Sequence, residues 1–473
     1  AFETVPQQGL NGRRGYQPRG KVLGGSSSIN AMCYIRGHAS DYDDWAAAGC
    51  TGWSYDEVLP YFKRSEGCTV ASLDAHYHGF DGPLKVSALR SPSDFNRLLL
   101  DAAAECGYAR NDDFNARQQD GVGYYHVTQD RGMRCNAAHA YLEPVRGRAN
   151  LQVLLDTHVT RILFEGKRAV SVEVLQGGSR RRVEARAEVI LSAGSFGSPQ
   201  LLQLSGIGPG AALQRLGIAV VADRAQVGIN LQDHPDCILN RRVQDPRLFG
   251  ISIAGLIRMW QAKRQYDRDQ TGLFTTNYAE SGGFLRTLPS LDRPDVQWHF
   301  VMGIVDDHGR RKHLGHGFSL HACVLRPRSR GTVTLASNDP LAAPLIDPAF
   351  LTHPDDVATL MRAYRATAAL FRTKALAPYS HRMLVPEPDP GDDAAIERFL
   401  RTRSDTIYHP VGTCRMGADD ASVVDPELRV RGTEALRVVD ASVMPSLIGG
   451  NTNAPTIMIA ERAADLIAAQ AGG

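Results

Sequence analysis

The residues able to do chemistry lie far apart in this chain. Near the C-terminal end, Tyr408-His409-Pro410-Val411-Gly412-Thr413 holds a histidine in front of a proline, which restricts it to extended backbone. An imidazole titrates near neutrality and so suits proton abstraction, although most of the fifteen histidines must be ordinary surface residues. Further on, Asn451-Thr452-Asn453-Ala454-Pro455-Thr456 leads into an apolar run. Asparagine is a favoured helix cap, and Pro455 fits the first helical position. The same helix N-terminus carries spare N–H groups and partial positive charge, ready for an anionic ring or an oxyanion. At the other end, Pro18-Arg19-Gly20-Lys21-Val22-Leu23-Gly24-Gly25-Ser26-Ser27-Ser28-Ile29-Asn30-Ala31-Met32 offers bare backbone and short hydroxyls where a flat, phosphate-bearing ligand could approach closely. With Ala193–Pro199 and Ile448–Thr456 it makes three small-residue loops, a pattern that points to one extended ligand assembled from distant segments.

Other chemistries fit less well. His308, His313, His316, His321 and Cys323 follow no zinc spacing, and strand alternation over Ser319–Leu325 separates their side chains, so no metal site is expected. No Gly-x-Ser-x-Gly elbow exists for a serine hydrolase. Among 473 residues, 53 basic side chains nearly balance 51 acidic ones, and no basic stripe is interleaved with aromatics, which disfavours a nucleic-acid partner. Eight cysteines without a paired spacing read as reduced thiols in a cytoplasm-like compartment. No apolar run approaches a spanning length, so membrane association is expected to be peripheral at most.

The elements that must position these residues are legible in outline. Ser54 and Glu57 form a capping box before a short helix, and Ser93 to Cys106 reads as a helix stopped by Gly107. Leu151–Leu155, Val159–Phe164, Val170–Leu175 and Val183–Ala193 read as strands separated by glycine turns. The last runs into Gly194, and Pro199 is expected in the first turn of the next helix, a strand–turn–helix arrangement that presents amides to phosphate. Strands at Asp295–Met302, Ser319–Leu325 and Gly331–Leu335, with helices at Asp355–Phe371 and Asp392–Arg403, suggest a second unit. Leu436–Asp440 reads as a strand and Pro455–Ala469 as the last helix.

Taken together, these segments resemble the glucose–methanol–choline (GMC) oxidoreductases, flavoproteins that oxidise alcohols. Pro18–Asn30 resembles the family's first signature and Gly194-Ser195-Phe196-Gly197-Ser198-Pro199-Gln200-Leu201-Leu202-Gln203-Leu204-Ser205-Gly206-Ile207-Gly208 its second. Val227–His234, Val438–Pro445 and the His409 and Asn453 segments follow in family order, with a leaning towards choline dehydrogenase-like alcohol dehydrogenases. The resemblance implies an α/β, Rossmann-like FAD-binding domain (1–60, 150–240 and 405–473) with an inserted α+β substrate domain on an antiparallel sheet (61–149 and 241–404). It implies FAD near Arg19, Gly20, Gly24, Gly25, Ser26, Asn30, Met32, Val159, Asp440, Ala441, Asn451, Pro455 and Thr456. Ile29 stands where some relatives attach the flavin through histidine, so the FAD is expected to be non-covalent. His409 would be the general base and Asn453 would orient a primary alcohol on its way to an aldehyde. Glu280 matches a substrate-side carboxylate, with a solvated or structurally paired glutamate as the alternative. Electrons would pass to a quinone, another acceptor or oxygen, in the cytoplasm or at the periphery of the inner membrane. The family's Gly-x-Gly-x-x-Gly unit has no counterpart before Pro18, so the FAD-binding domain is expected to be incomplete at its N-terminus, and a silent fragment unable to retain FAD is the alternative.

Overall fold

The computed structural model describes residues 1–471. Its central feature is a seven-stranded sheet whose main order is Asp405–Thr406, Pro235–Val243, Gly315–Val324, Val296–Val301, Ala279–Leu285, Gly121–Tyr124, every pair antiparallel. Gly250–Ile251 pairs with the start of Gly315–Val324. Because side chains alternate across a strand, Trp298, Phe300, Leu320 and Ala322 all point to one face. There they pack with Leu360, Ala363 and Tyr364 of the helix Pro354–Leu370 and with Phe95 and Leu99 of the helix Asp94–Glu105. Gln297, His299, His321 and Cys323 project from the opposite face, towards the His409 segment. The Pro235–Val243 strand straddles residue 240, where the first domain was expected to end.

A second core gathers the remaining expected elements. The strands Thr157–Glu165, Arg168–Gln176 and Ser179–Glu184 form an antiparallel meander. Its second turn, Gly177-Gly178, has positive φ at both residues, the twist that a two-residue hairpin loop needs. Val189–Leu191 pairs in parallel with Leu436–Val438, and the helix Gly194–Leu204 follows directly. The terminal helix Asn453–Ala471 buries Met458, Ile459 and Ala463 against Val438, Leu202 and Trp53.

Four local expectations need correction. Leu151–Leu155 is not a strand: Leu151 and Leu155 are exposed, with no sheet edge to cover them. Val183–Ala193 is not continuous, because Ser179–Glu184 belongs to the meander while Val189–Leu191 joins the parallel pair, so the chain must turn between two sheets. Pro199 lies inside the helix that starts at Gly194, and the terminal helix starts at Asn453, two residues before Pro455.

Candidate active site

The first glycine loop closes on itself. Ser26 Oγ accepts the Gly20 N–H at 3.2 Å, and Ser27 Oγ donates to Gly24 O at 2.6 Å while accepting from Ala137 N. A Cβ on Gly20 would stand 2.2 Å from Gly25 O, so only glycine lets the strands of the loop meet. Asn30 Oδ1 accepts from Met32 N and from Arg134 Nη1, holding Met32 at a φ of 57°. Arg19 ties this loop to the histidine segment by donating to Tyr408 O at 2.9 Å, with its guanidinium over the Phe196 ring. Tyr408 itself has φ 75°, backbone strain of the kind that persists where the surroundings over-determine a site.

The second loop is fixed by Asp440. Its Oδ2 accepts from Gly194 N at 2.9 Å and from Ser198 Oγ, and its Oδ1 accepts from Ser442 N at 2.8 Å. One carboxylate thus joins the ends of both parallel strands to the helix Gly194–Leu204. Beside it a cleft of about 510 Å³ is lined by Val159, Leu191, Ser192, Ala193, Gly197 and Leu201. Val159 therefore shares a cavity with residues of the second signature. The loops leave room for FAD: Gly25 and Gly194 have positive φ with open space where a Cβ would stand, their own amides being given to Val22 O and Asp440 Oδ2, and apolar Val22, Leu23 and Ile29 are exposed along the first loop.

At the join of the two cores lies a buried imidazole chain. His234 Nε2 lies 3.0 Å from Leu325 O, and its Nδ1 lies 3.0 Å from His409 Nδ1. His409 Nε2 faces Asn451 Nδ2 at 3.2 Å, and that amide also reaches His299 Nε2 at 3.4 Å. Gln297 Nε2 donates to Asn451 Oδ1 at 2.9 Å, which settles the orientation of the amide. The tautomers follow from the fixed ends. A carbonyl only accepts, so His234 carries its proton on Nε2 and offers a lone pair at Nδ1. His409 must then donate from Nδ1, which leaves Nε2 as a lone pair, the base end of the ring. Asp233 sets the backbone, accepting from His409 N at 2.8 Å and from Thr406 Oγ.

This geometry corrects the expected partner. Asn451 touches His409, whereas Asn453 is the first residue of the terminal helix, two positions further on. Thr456 Oγ donates to Thr452 O within that helix start, and Pro455 is buried there. Two asparagines in one six-residue segment could not be told apart from spacing. His234, His299 and Gln297 were not expected in the site at all. The neighbouring register pairs Gln297↔Cys323 and His299↔His321 were the available signal, and they depend on knowing the sheet. Glu280 is not brought to this cluster. It accepts from Ser93 N, Asn96 Nδ2 and Thr276 Oγ1 beside the helix Asp94–Glu105, facing a separate cavity of about 340 Å³. The histidines of the 308–321 run likewise diverge: His308 pairs with Asp405, His313 with Asp306 and His321 with Asp236.

Burial decides the charge of the imidazoles. It pulls His234 down to about 3 and His299 to about 3, and with His234, His299 and Arg19 nearby it holds His409 well below its ordinary value. Burial raises Asp233 to about 6. The three histidines are neutral in the fold and take up protons when unfolded, so their contribution is complete above 6.5 and is lost as pH falls below it. Each removes about 1.4 kcal/mol per pH unit over that range. Asp233 acts in the opposite sense below about 6 and offsets one of them. Urea unfolding midpoints are therefore expected to drop steeply from pH 7 to pH 5, and a flat profile would contradict neutral imidazoles.

A parallel strand pair running into a glycine loop, beside a buried unprotonated imidazole, fits a cofactor-binding enzyme. The chain belongs to the GMC oxidoreductase family: the family's N-terminal profile matches residues 4–236 and its C-terminal profile residues 327–460. It is 46% identical to an alcohol dehydrogenase [acceptor] of Pseudomonas putida, covering 99% of this chain and 85% of that one. It is 42% identical to human mitochondrial choline dehydrogenase, covering 99% and 79% respectively. A solved structure of Aspergillus oryzae formate oxidase, studied for its FAD modification, superposes with a TM-score of 0.92 at 26% identity, covering 99% of this chain and 88% of that one. The chain is thus an FAD-dependent oxidoreductase with the family's α/β cofactor domain and substrate domain.

Proposed function

We propose that this protein oxidises a primary alcohol to an aldehyde, with His409 as general base and Asn451 holding the alcohol oxygen. The observation that carries the reading is the relay from Leu325 O through His234 to His409, which presents an unprotonated Nε2 beside an amide donor. FAD, when bound, supplies the acceptor for the hydride. Gly20–Ser26, Asn30 and Met32 would hold its flavin side together with Pro455 and Thr456 at the start of the terminal helix, Val159 its adenine end, and Asp440 and Ala441 the span between, non-covalently because Ile29 offers no attaching atom. The alcohol hydroxyl would replace the Asn451 amide at His409 Nε2. His409 then takes the hydroxyl proton as hydride leaves the carbinol carbon, and Asn451 donates to the oxygen throughout. His299, held neutral by burial, adds no competing charge. The alcohol and choline dehydrogenases among the relatives support an alcohol as substrate.

An alcohol panel assayed anaerobically with an artificial electron acceptor, after FAD is added, tests the reading. Acceptor reduction with a primary alcohol is expected, and no reduction with any alcohol would overturn it. Hydrogen peroxide formed under air would mark oxygen as the natural acceptor.

A further inference from the structure

The helix Ile253–Asp269 packs one narrow side against the protein, through Gly255 and Ala262, and turns an apolar face outward. Ile253 is 80% exposed, Leu256 70% and Trp260 60%, with Ile257 beside them at helical spacing. Ile251 and Leu314, linked by a β-bridge at the foot of the helix, extend the patch, and Leu314 is 76% exposed. Large aliphatic side chains exposed singly are ordinary, but five together around a tryptophan mark a contact surface.

The charges around the patch select its partner. From Ile251 to Asp269 the chain carries Arg258, Lys263, Arg264 and Arg268 against Asp267 and Asp269, and from Asp306 to His321 it carries Arg310, Arg311 and Lys312 against Asp306 and Asp307, with Asp307 beside Arg310 and Arg311, so both segments are net basic. The nearby acidic groups Asp267 and Asp269 are already paired with Lys263 and Arg268. Arg264 lies over the Trp260 ring, 4.8 Å from its centroid. An apolar stripe with one tryptophan and a cationic border is the composition of a helix that lies in a bilayer interface, its apolar side among acyl chains and its basic groups at phosphate level. A second copy of the chain would bring the same basic border against itself.

We infer that this face docks the protein onto an anionic lipid bilayer, with the helix Ile253–Asp269 lying in the plane of the headgroups. The inference does not depend on the alcohol chemistry. It places the helix that walls the second cavity, through Arg258, Gln261 and Gln265, at the membrane.

The tryptophans make the test specific, because Trp45, Trp53 and Trp298 are fully buried and Trp260 is not. The 473-residue chain is mixed with vesicles of phosphatidylcholine alone or with phosphatidylglycerol added, at low and high salt. With the anionic vesicles at low salt, a blue shift in tryptophan emission and co-sedimentation are expected. Both should weaken with salt, and both should be lost in Leu256→Asp/Ile257→Asp, whose altered positions are exposed and should leave the far-UV spectrum unchanged. Absence of binding to anionic vesicles would overturn the inference, as would binding that the double variant retains. Sedimentation showing a wild-type dimer that the double variant dissociates would assign the face to a second copy instead.

Discussion

Replacing His409 by alanine is expected to slow alcohol oxidation by about 10³-fold while leaving FAD content unchanged. The backbone of this residue is held independently of its ring, since Asp233 accepts the His409 N–H and the alanine variant keeps that bond. The loop therefore keeps its path, and what disappears is the lone pair at Nε2. The loss should fall on turnover, because the base acts as the hydroxyl proton departs and contributes little to ground-state binding. The pH profile offers a second signature. A base whose protonation burial holds well below its ordinary value is active across neutral pH, so wild-type turnover should stay level from pH 8 down to about pH 6. A His234→Phe variant, which removes the acceptor for the His409 Nδ1–H, should lower turnover by the same factor across that stretch, because the neutral ring is then free to change tautomer. Wild-type turnover in His409→Ala would remove His409 from the chemistry.

The second large effect concerns stability. Arg36 is fully buried, with Nη2 2.7 Å from Glu66 Oε2, Nε donating to the Tyr34 hydroxyl at 3.2 Å and Nη1 donating to Tyr77 O. Glu66 in turn receives His78 Nδ1 at 3.0 Å and Gly79 N at 3.0 Å, and His78 Nε2 reaches Asp113 at 2.9 Å. Among the described residues Glu66, Cys68 and His78 are the one trio whose ligand-type atoms lie within 4.8 Å, but Arg36 already places a cation on Glu66. Arg36→Met would take the guanidinium from a buried carboxylate and leave Glu66 with only His78 and Gly79 N, and a loss of about 3 kcal/mol in urea unfolding is expected. Pairing it with Glu66→Met should restore part of that loss, since much of it is the penalty for one unpaired charge. A single-variant loss under about 1 kcal/mol would show that water reaches Glu66 and that the network is not closed.

The parts legible in the sequence were those fixed by local chemistry. Ser93 caps its helix through Phe95 N, and Gly107 stops it with φ 90°, both as the residue types dictate. The Gly166 and Gly177-Gly178 turns divide the meander where glycine can adopt positive φ. His409 stood out because a proline and a distinctive segment flank it, and the fold buries it between His234 and Asn451. What was not legible depends on contacts between distant residues. The choice of Asn451 over Asn453 turns on which one faces His409 across 42 residues, and both suit a helix start. His299 and Gln297 sit in a strand of apolar texture, and only their register beside Gly315–Val324 shows that they face the site. Glu280 looked like a substrate-side carboxylate, yet three protein donors already occupy it on the far side of the sheet. Val183–Ala193 looked like one strand because nothing local reveals that its halves pair with different partners.

The central claim is that His409 Nε2, kept unprotonated through His234, takes the alcohol proton as hydride leaves the carbinol carbon. Rapid anaerobic mixing of FAD-loaded protein with a primary alcohol, followed through the flavin's visible absorbance, tests it most directly. The account predicts that the absorbance bleaches in a single turnover, more slowly with alcohol deuterated at the carbinol carbon, and about 10³-fold more slowly in His409→Ala. Absorbance that no alcohol changes, or that bleaches in His409→Ala at the wild-type rate, would contradict it.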